Sequence, residues 1–198
     1  MSNNPRILAF AGSLRKNSFN KRLVRVAGDG ASKAGADVTV IDLAMYPLPV
    51  FDEDFEKAEG LPDNAIKLKA ILKQHDGFLI ACPEYNSSIT AALKNAIDWA
   101  SRPVPDEQPL ECFKGKVAAI MSASPGGLGG LRGLVHVRAI LSNIGVLVLP
   151  DQRAISQAHE AFNDDGTLKD PKQQDAIEQI GAKLCQTVAS LNKNKAHH

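Results

Sequence analysis

The chain has 198 residues, 44% of them hydrophobic, and its 23 basic and 22 acidic side chains leave a formal net charge of +1. That length and apolar content suffice for one core, predicting a single domain over residues 1–198. Charge this evenly balanced excludes a surface built for polyanions, so neither nucleic acid nor an acidic membrane is an expected partner.

The polar start, Met1-Ser2-Asn3-Asn4-Pro5, runs straight into a strand, so no signal peptide is expected. The first predicted strand, Arg6 to Ala11, stops at Gly12, and the turn Ser13-Leu14-Arg15-Lys16-Asn17 follows. A helical pattern then runs from Ser18 to about Ala34, with Phe19, Leu23, Val26, Ala27 and Ala31 on one face. The hydroxyls of Ser13 and Ser18 and the Asn20 amide thus gather at the positive end of a helix, the setting that makes a phosphate socket. Arg15 adds a charged fork suited to phosphate, or it is simply a solvated loop arginine. The socket fits a terminal monophosphate, and the sequence contains no G-x-x-x-x-G-K-[ST] run that would cradle a triphosphate.

A second strand is predicted over 37–43, then a long loop over 44–62 carrying Pro47, Pro49, Pro62 and the acids Asp52, Glu53, Asp54 and Glu56. A helix over 63–75 and an apolar strand over 77–82 lead to a second strand-to-helix junction, Pro83-Glu84-Tyr85-Asn86-Ser87. The next helical pattern, Ser88 to Ala100, repeats Ile89, Ala92, Leu93, Ala96, Ile97 and Ala100, offers Lys94 and Asp98 as an i,i+4 pair, and stops before Pro103. Residues 102–115 read as irregular, followed by a strand over 116–122 and the run Ser124-Pro125-Gly126-Gly127-Leu128-Gly129-Gly130. These glycines let backbone approach a ligand closely, although a flexible connector has the same composition. They are not a Rossmann fingerprint, because Arg132 stands where the third glycine belongs. A helix over 130–143, a strand over 145–149 and a helix over 172–193 complete the pattern. Near-continuous apolar strands alternating with helices define an α/β, doubly wound parallel sheet with helices on both faces. Such sheets bind ligands beyond the carboxyl ends of their strands, where both junction segments lie.

No apolar run approaches the roughly 18 residues of a membrane helix. Cys82, Cys112 and Cys185 are widely spaced with no CxxC or Cys/His pattern, which fits a reducing cytoplasm, the expected location. His75 and His136 stand alone on helices, so no metal site is expected. His197 and His198, at the end of the chain, are either tag or native tail and carry no fold information.

Three motifs, Gly12-Ser13-Leu14-Arg15 with Ser18 and Asn20, then Pro83-Glu84-Tyr85-Asn86, then Leu93-Lys94-Asn95-Ala96-Ile97-Asp98-Trp99, resemble the NADPH-dependent FMN reductase family. The likeness runs from residue 6 to about residue 150. That family is flavodoxin-like and includes quinone, azo-dye and chromate reductases, so the resemblance implies a five-stranded sheet of order 2-1-3-4-5. It implies bound FMN, NADPH or NADH as a transient hydride donor, and two-electron reduction of a quinone, azo compound, free flavin or metal oxyanion. It places Ser13, Arg15, Ser18, Phe19 and Asn20 around the FMN phosphate. Pro83, Glu84, Tyr85, Asn86 and Ser87 serve the flavin ring, with backbone on the pyrimidine edge and Tyr85 either beside the isoalloxazine or plugging the crevice. Ser124 flanks the ring. No catalytic side chain is implied, since hydride transfer to a flavin needs no protein acid or base, and the Glu84 carboxylate reads as structural. Relatives use the arginine after the glycine pair, here Arg132, at the substrate mouth, and often place an aromatic where this chain has Val135. A homodimer or homotetramer is implied as well.

Two rival functions share this scaffold. A one-electron flavodoxin-type carrier is usually strongly acidic, which a net charge of +1 opposes. A flavin-free interaction module would keep the fold and lack the yellow colour.

Overall fold

The computed structural model describes residues 4–195; Met1 to Asn3 and residues 196–198, including His197 and His198, lie outside the described residues. In chain order the strands are β1 (Arg6–Ala11), β2 (Asp37–Val40), β3 (Gly77–Ala81), the two-residue β4 (Glu84–Tyr85) and β5 (Ser88–Ile89), β6 (Val117–Ala123) and β7 (Leu147–Ile155). The helices are α1 (Phe19–Lys33), α2 (Glu53–Glu59), α3 (Asp63–Lys73), α4 (Ala91–Ala100), α5 (Leu131–Asn143), α6 (Ala158–Ala161) and α7 (Pro171–Lys195). The main sheet is parallel in the order β2-β1-β3-β6-β7, which is the expected 2-1-3-4-5 once the short antiparallel β4–β5 pair is set aside.

The pleat divides the central strands between two cores. Ile7, Ala9 and Ala11 of β1 and Leu79 and Ala81 of β3 face α1 and α7, whereas Leu8, Phe10, Phe78 and Ile80 face α3, α4 and α5. Burial on both faces is why these strands read as unbroken apolar runs. Helix α7 lies close against α1 because Gly30 and Gly181 have no side chains at the crossing; a Cβ on either would collide with backbone of the other helix.

Beyond shifts of one or two residues at element ends, the structure departs from the sequence reading at four places. Strand 2 ends at Val40, and the polypeptide tightens into a 3₁₀ turn at Leu43–Met45 capped by Asp42. The 44–62 segment is not all loop: Asp52 accepts a hydrogen bond from Asp54 N and starts α2, whose first turn carries Glu53, Asp54 and Glu56 at the favourable end. The helix predicted from Ser88 starts at Ala91, because residues 84–89 form a hairpin. The last strand runs to Ile155 rather than 149, and its register against β6 slips beyond Ala118, where Pro150 interrupts the ladder. Strand β7 lies at the sheet edge, where a proline and a bulge are tolerated.

Candidate functional site

Three loops leave the carboxyl ends of β1, β3 and β6 and meet above the sheet. The first, residues 12–18, enters α1. Ser13 is buried and its hydroxyl accepts from Arg15 N (3.3 Å), closing a tight turn that leaves the Arg15 and Lys16 side chains exposed. Ser18 occupies the N-cap and is buried, yet its side chain makes no capping bond, and the first turn of α1 holds no acid. The positive end of a 15-residue helix therefore faces the loop with an uncommitted hydroxyl, as an anion site requires.

The Asn20 amide is bonded within the fold. Its Nδ2 donates to Ala123 O (2.8 Å), and Ala123 N donates to its Oδ1 (3.0 Å). Pairing of β3 with β6 ends at Ala81 and Met121, so the Asn20 amide supplies the next rung of the ladder in place of a strand. This ties the start of α1 to the end of β6, next to the third loop. Phe19 is half-buried and stacks on Phe162, with centroids 6.1 Å apart, so its ring braces α1 against the chain after β7.

The second loop begins at buried Cys82 and Pro83 and rises into the β4–β5 hairpin. Burial pushes the Cys82 thiol strongly upward, so it stays protonated and unreactive. Asn86 and Ser87 both have positive φ, 51° and 65°, the conformation of a two-residue type I′ turn. Asparagine adopts it readily, whereas serine is strained there, a cost that recurs at ligand-binding tips. Tyr85 is 52% exposed on this hairpin. It does not plug the crevice.

The Glu84 carboxylate is held within the fold. Oε1 accepts from Arg132 Nε (2.9 Å) and Oε2 accepts from Gly133 N (3.0 Å), so the carboxylate caps α5 from a different element. Burial pushes this carboxyl up, but the Arg132 guanidinium and the backbone donors outweigh it and hold its pKa below the ordinary value. One helical turn on, Ser88 Oγ and His136 Nδ1 lie 2.9 Å apart. Arg138 instead turns toward β7, donating to Val148 O and Gln152 Oε1.

The third loop, 124–130, is pinned more than it is flexible. Ser124 N donates to Ile155 O (3.1 Å), Ser124 O accepts from Ala158 N (3.1 Å), and Ser124 Oγ accepts from Gly126 N (3.3 Å). Gly129, at φ 62°, packs within van der Waals contact of the β7 backbone, where a Cβ would lie 2.7 Å from Ile155 C. Part of the glycine run thus serves strand packing, while Gly127 has nothing near it.

Sequence reading missed two groups of residues. Thr90 caps α4 by accepting from Leu93 N (3.1 Å) and donates to Gly12 O (2.6 Å); a threonine before an apolar run was the available signal. Asn95, Trp99 and Arg102 hold the segment after β2 on α4. Asn95 pairs with Pro49 O and Phe51 N, Trp99 Nε1 donates to Pro49 O (2.8 Å), and Arg102 grips Glu56 and covers the Phe51 ring. Two polar positions of the 93–99 motif therefore serve loop anchoring, a role that only spatial contact discloses. Among the described residues, no three His, Cys, Asp or Glu side chains gather as a metal site would need.

Comparison with known proteins places this arrangement. The model of the NADPH-dependent FMN reductase family matches residues 5–160. An NAD(P)H-dependent FMN reductase of Pseudomonas aeruginosa is 38% identical over 180 residues, 90% of this chain and 92% of the relative. A quinone reductase of Escherichia coli is 38% identical over 149 residues, 75% of this chain and 76% of the relative. Among solved structures, the flavoenzyme NAD(P)H:(acceptor) oxidoreductase of Paracoccus denitrificans superposes with a TM-score of 0.78 at 29% identity, covering 94% of this chain and 98% of that one. An archaeal flavodoxin, at 12% identity and a TM-score of 0.60, shares the fold alone. The chain belongs to the NADPH-dependent FMN reductase family.

Proposed function

We propose that this single domain is an FMN-dependent NAD(P)H oxidoreductase that reduces a small acceptor of the quinone class by two electrons. The observation that carries the reading is the acid-free N-terminus of α1, with its uncommitted Ser18 hydroxyl, lying beside a strained hairpin at the carboxyl edge of the sheet. FMN fits such a crevice, with its phosphate at Ser13, Arg15 and Ser18 and its ring along the 83–87 hairpin and Ser124. When bound, FMN supplies the redox chemistry, accepting hydride from NADPH or NADH and passing two electrons to the acceptor. The protein binds and orients. Asn20 and Glu84 fix the walls, and Tyr85 offers an aromatic face beside the opening.

Donor and acceptor sharing one opening cannot bind productively together. Double-reciprocal plots against NADPH at several fixed quinone concentrations are therefore expected to be parallel. Intersecting lines, or a purified protein that neither is yellow nor takes up FMN, would overturn the reading.

Assembly and location belong to the same proposal. Leu128, Leu131 and Val135 are exposed at helical spacing around the start of α5, an apolar stripe suited to a second copy in a homodimer or homotetramer. Light scattering at micromolar concentration that returned only the 21.2 kDa monomer would refute the assembly. The three free, buried thiols support a cytoplasmic location. Among the described residues, no helix is long and apolar enough to cross a membrane.

A further inference from the structure

The phosphate-side loop is hydrogen-bonded to the residue that follows the ring-side hairpin. Gly12 N donates to Ala81 O (2.9 Å), and Gly12 O accepts from Thr90 Oγ1 (2.6 Å). The same threonine oxygen accepts from Leu93 N, so one hydroxyl both caps α4 and holds the start of the loop. The joint is dry and tight: Thr90 is 3% exposed, and a Cβ on residue 12 would lie 2.8 Å from Leu93 Cβ. Water does not compete for a hydrogen bond in such a place. Among the described residues, this is the one hydrogen bond joining residues 12–18 to residues 82–90.

We propose that Thr90 is a positioning residue whose hydroxyl locks the phosphate loop to the hairpin, setting the distance between the two halves of the FMN crevice. This rests on the reading of 12–18 as the phosphate socket and 83–87 as the ring support. With the bond in place, the loop meets the phosphate already ordered. Without it, ordering the loop is drawn from the binding energy. Riboflavin, which has the ring and no phosphate, does not engage the loop and is insensitive to Thr90.

The test compares the apoprotein and its Thr90→Val, Thr90→Ser and Arg15→Ala variants. Fluorescence titrations with FMN and with riboflavin are read beside amide hydrogen exchange in the absence of either. Thr90→Val is expected to weaken FMN binding by about tenfold, the effect of one buried hydrogen bond. It should leave riboflavin affinity unchanged and speed exchange over residues 13–18. Thr90→Ser keeps the hydroxyl and restores both readouts.

Faster exchange confined to the first turn of α4, with FMN affinity unchanged, would reduce Thr90 to a helix cap and overturn the proposal. Equal weakening of FMN and riboflavin would overturn it too, since the bond would then support only the hairpin. If Arg15→Ala weakens FMN while Thr90→Val does not, the positioning role fails and the phosphate socket stands. If neither variant affects FMN, the socket itself is misassigned. Should Thr90→Val not fold, Thr90→Ala removes the hydroxyl without adding bulk and gives the same comparison.

Discussion

Replacing Asn20 by alanine removes the side-chain rung that closes the sheet between α1 and β6. Two hydrogen bonds are lost, of 2.8 and 3.0 Å, and both peptide groups of Ala123 involved are left in a place where Asn20 is 3% and Ala123 4% exposed. An orphaned buried donor or acceptor costs about 1–3 kcal/mol, so losing both partners should destabilise the fold by roughly 2–4 kcal/mol after some access of water. For a chain of this size that corresponds to a fall of about 5–15 °C in Tm. Urea denaturation followed by circular dichroism is the assay, with the midpoint expected to fall at an unchanged slope. Asn20→Asp sharpens the test. Its carboxylate still accepts from Ala123 N but sets a second oxygen against Ala123 O, unless it carries a proton. Its native pKa is then raised, the native state holds its proton more firmly than the unfolded chain, and stability falls as pH rises through that window. Refutation would be an alanine variant within about 0.5 kcal/mol of the parent, the range of an inconsequential surface change. An aspartate variant as stable at neutral pH as the parent would refute it equally.

Arg15→Ala should raise the dissociation constant for FMN by about tenfold to a hundredfold, the loss of one charge-assisted contact worth about 1.5–3 kcal/mol; an unchanged constant in a fluorescence titration removes Arg15 from the socket. Glu84 has a native pKa lowered by Arg132 and Gly133, so its contribution to stability is complete above the ordinary carboxylate value of about 4.3 and is lost as pH falls through the native value. Glu84→Gln should therefore destabilise at neutral pH and converge with the parent in acid, and parallel stability curves would contradict a stabilising role for the Glu84 contacts to Arg132 and Gly133. Arg102→Ala should release α2, whose seven residues cannot persist without tertiary support, and accelerate hydrogen exchange over Glu53–Glu59 with little change in global unfolding. Unchanged exchange there would show that Trp99 and Asn95 suffice.

The architecture was legible in the sequence because its signals are local. Doubly buried strands read as apolar runs, α1 shows its buried face at helical spacing, and the order of strands and helices leaves few topologies open. The Gly12–Asn20 and Pro83–Ser87 segments were legible for the same reason, as polar runs placed where strands end. The hairpin at 84–89 was harder to see, since two-residue strands are too short to show a period and Asn86-Ser87 lacks the glycine that usually marks such a turn. Helix α2 was hidden by its proline-flanked, acidic composition, and it lies on Arg102, which pairs with Glu56, and on Trp99, which meets Phe55.

By itself, the sequence determined the fold class, the strand order through its family likeness, and the ends of the sheet at which a ligand would sit. Only the tertiary structure decided how the polar residues at those ends divide their work. The Asn20 amide reads from sequence as a donor to phosphate and is engaged by Ala123, 103 positions away, while the partners that hold the Glu84 carboxylate, Arg132 and Gly133, lie 48 and 49 positions from it. Ser18 stays free because no neighbour reaches its hydroxyl, and Thr90 acquires its role from a glycine 78 residues earlier. Side-chain type sets which hydrogen bonds are possible, but the partner is chosen by packing, which brings together groups that no spacing along the chain connects.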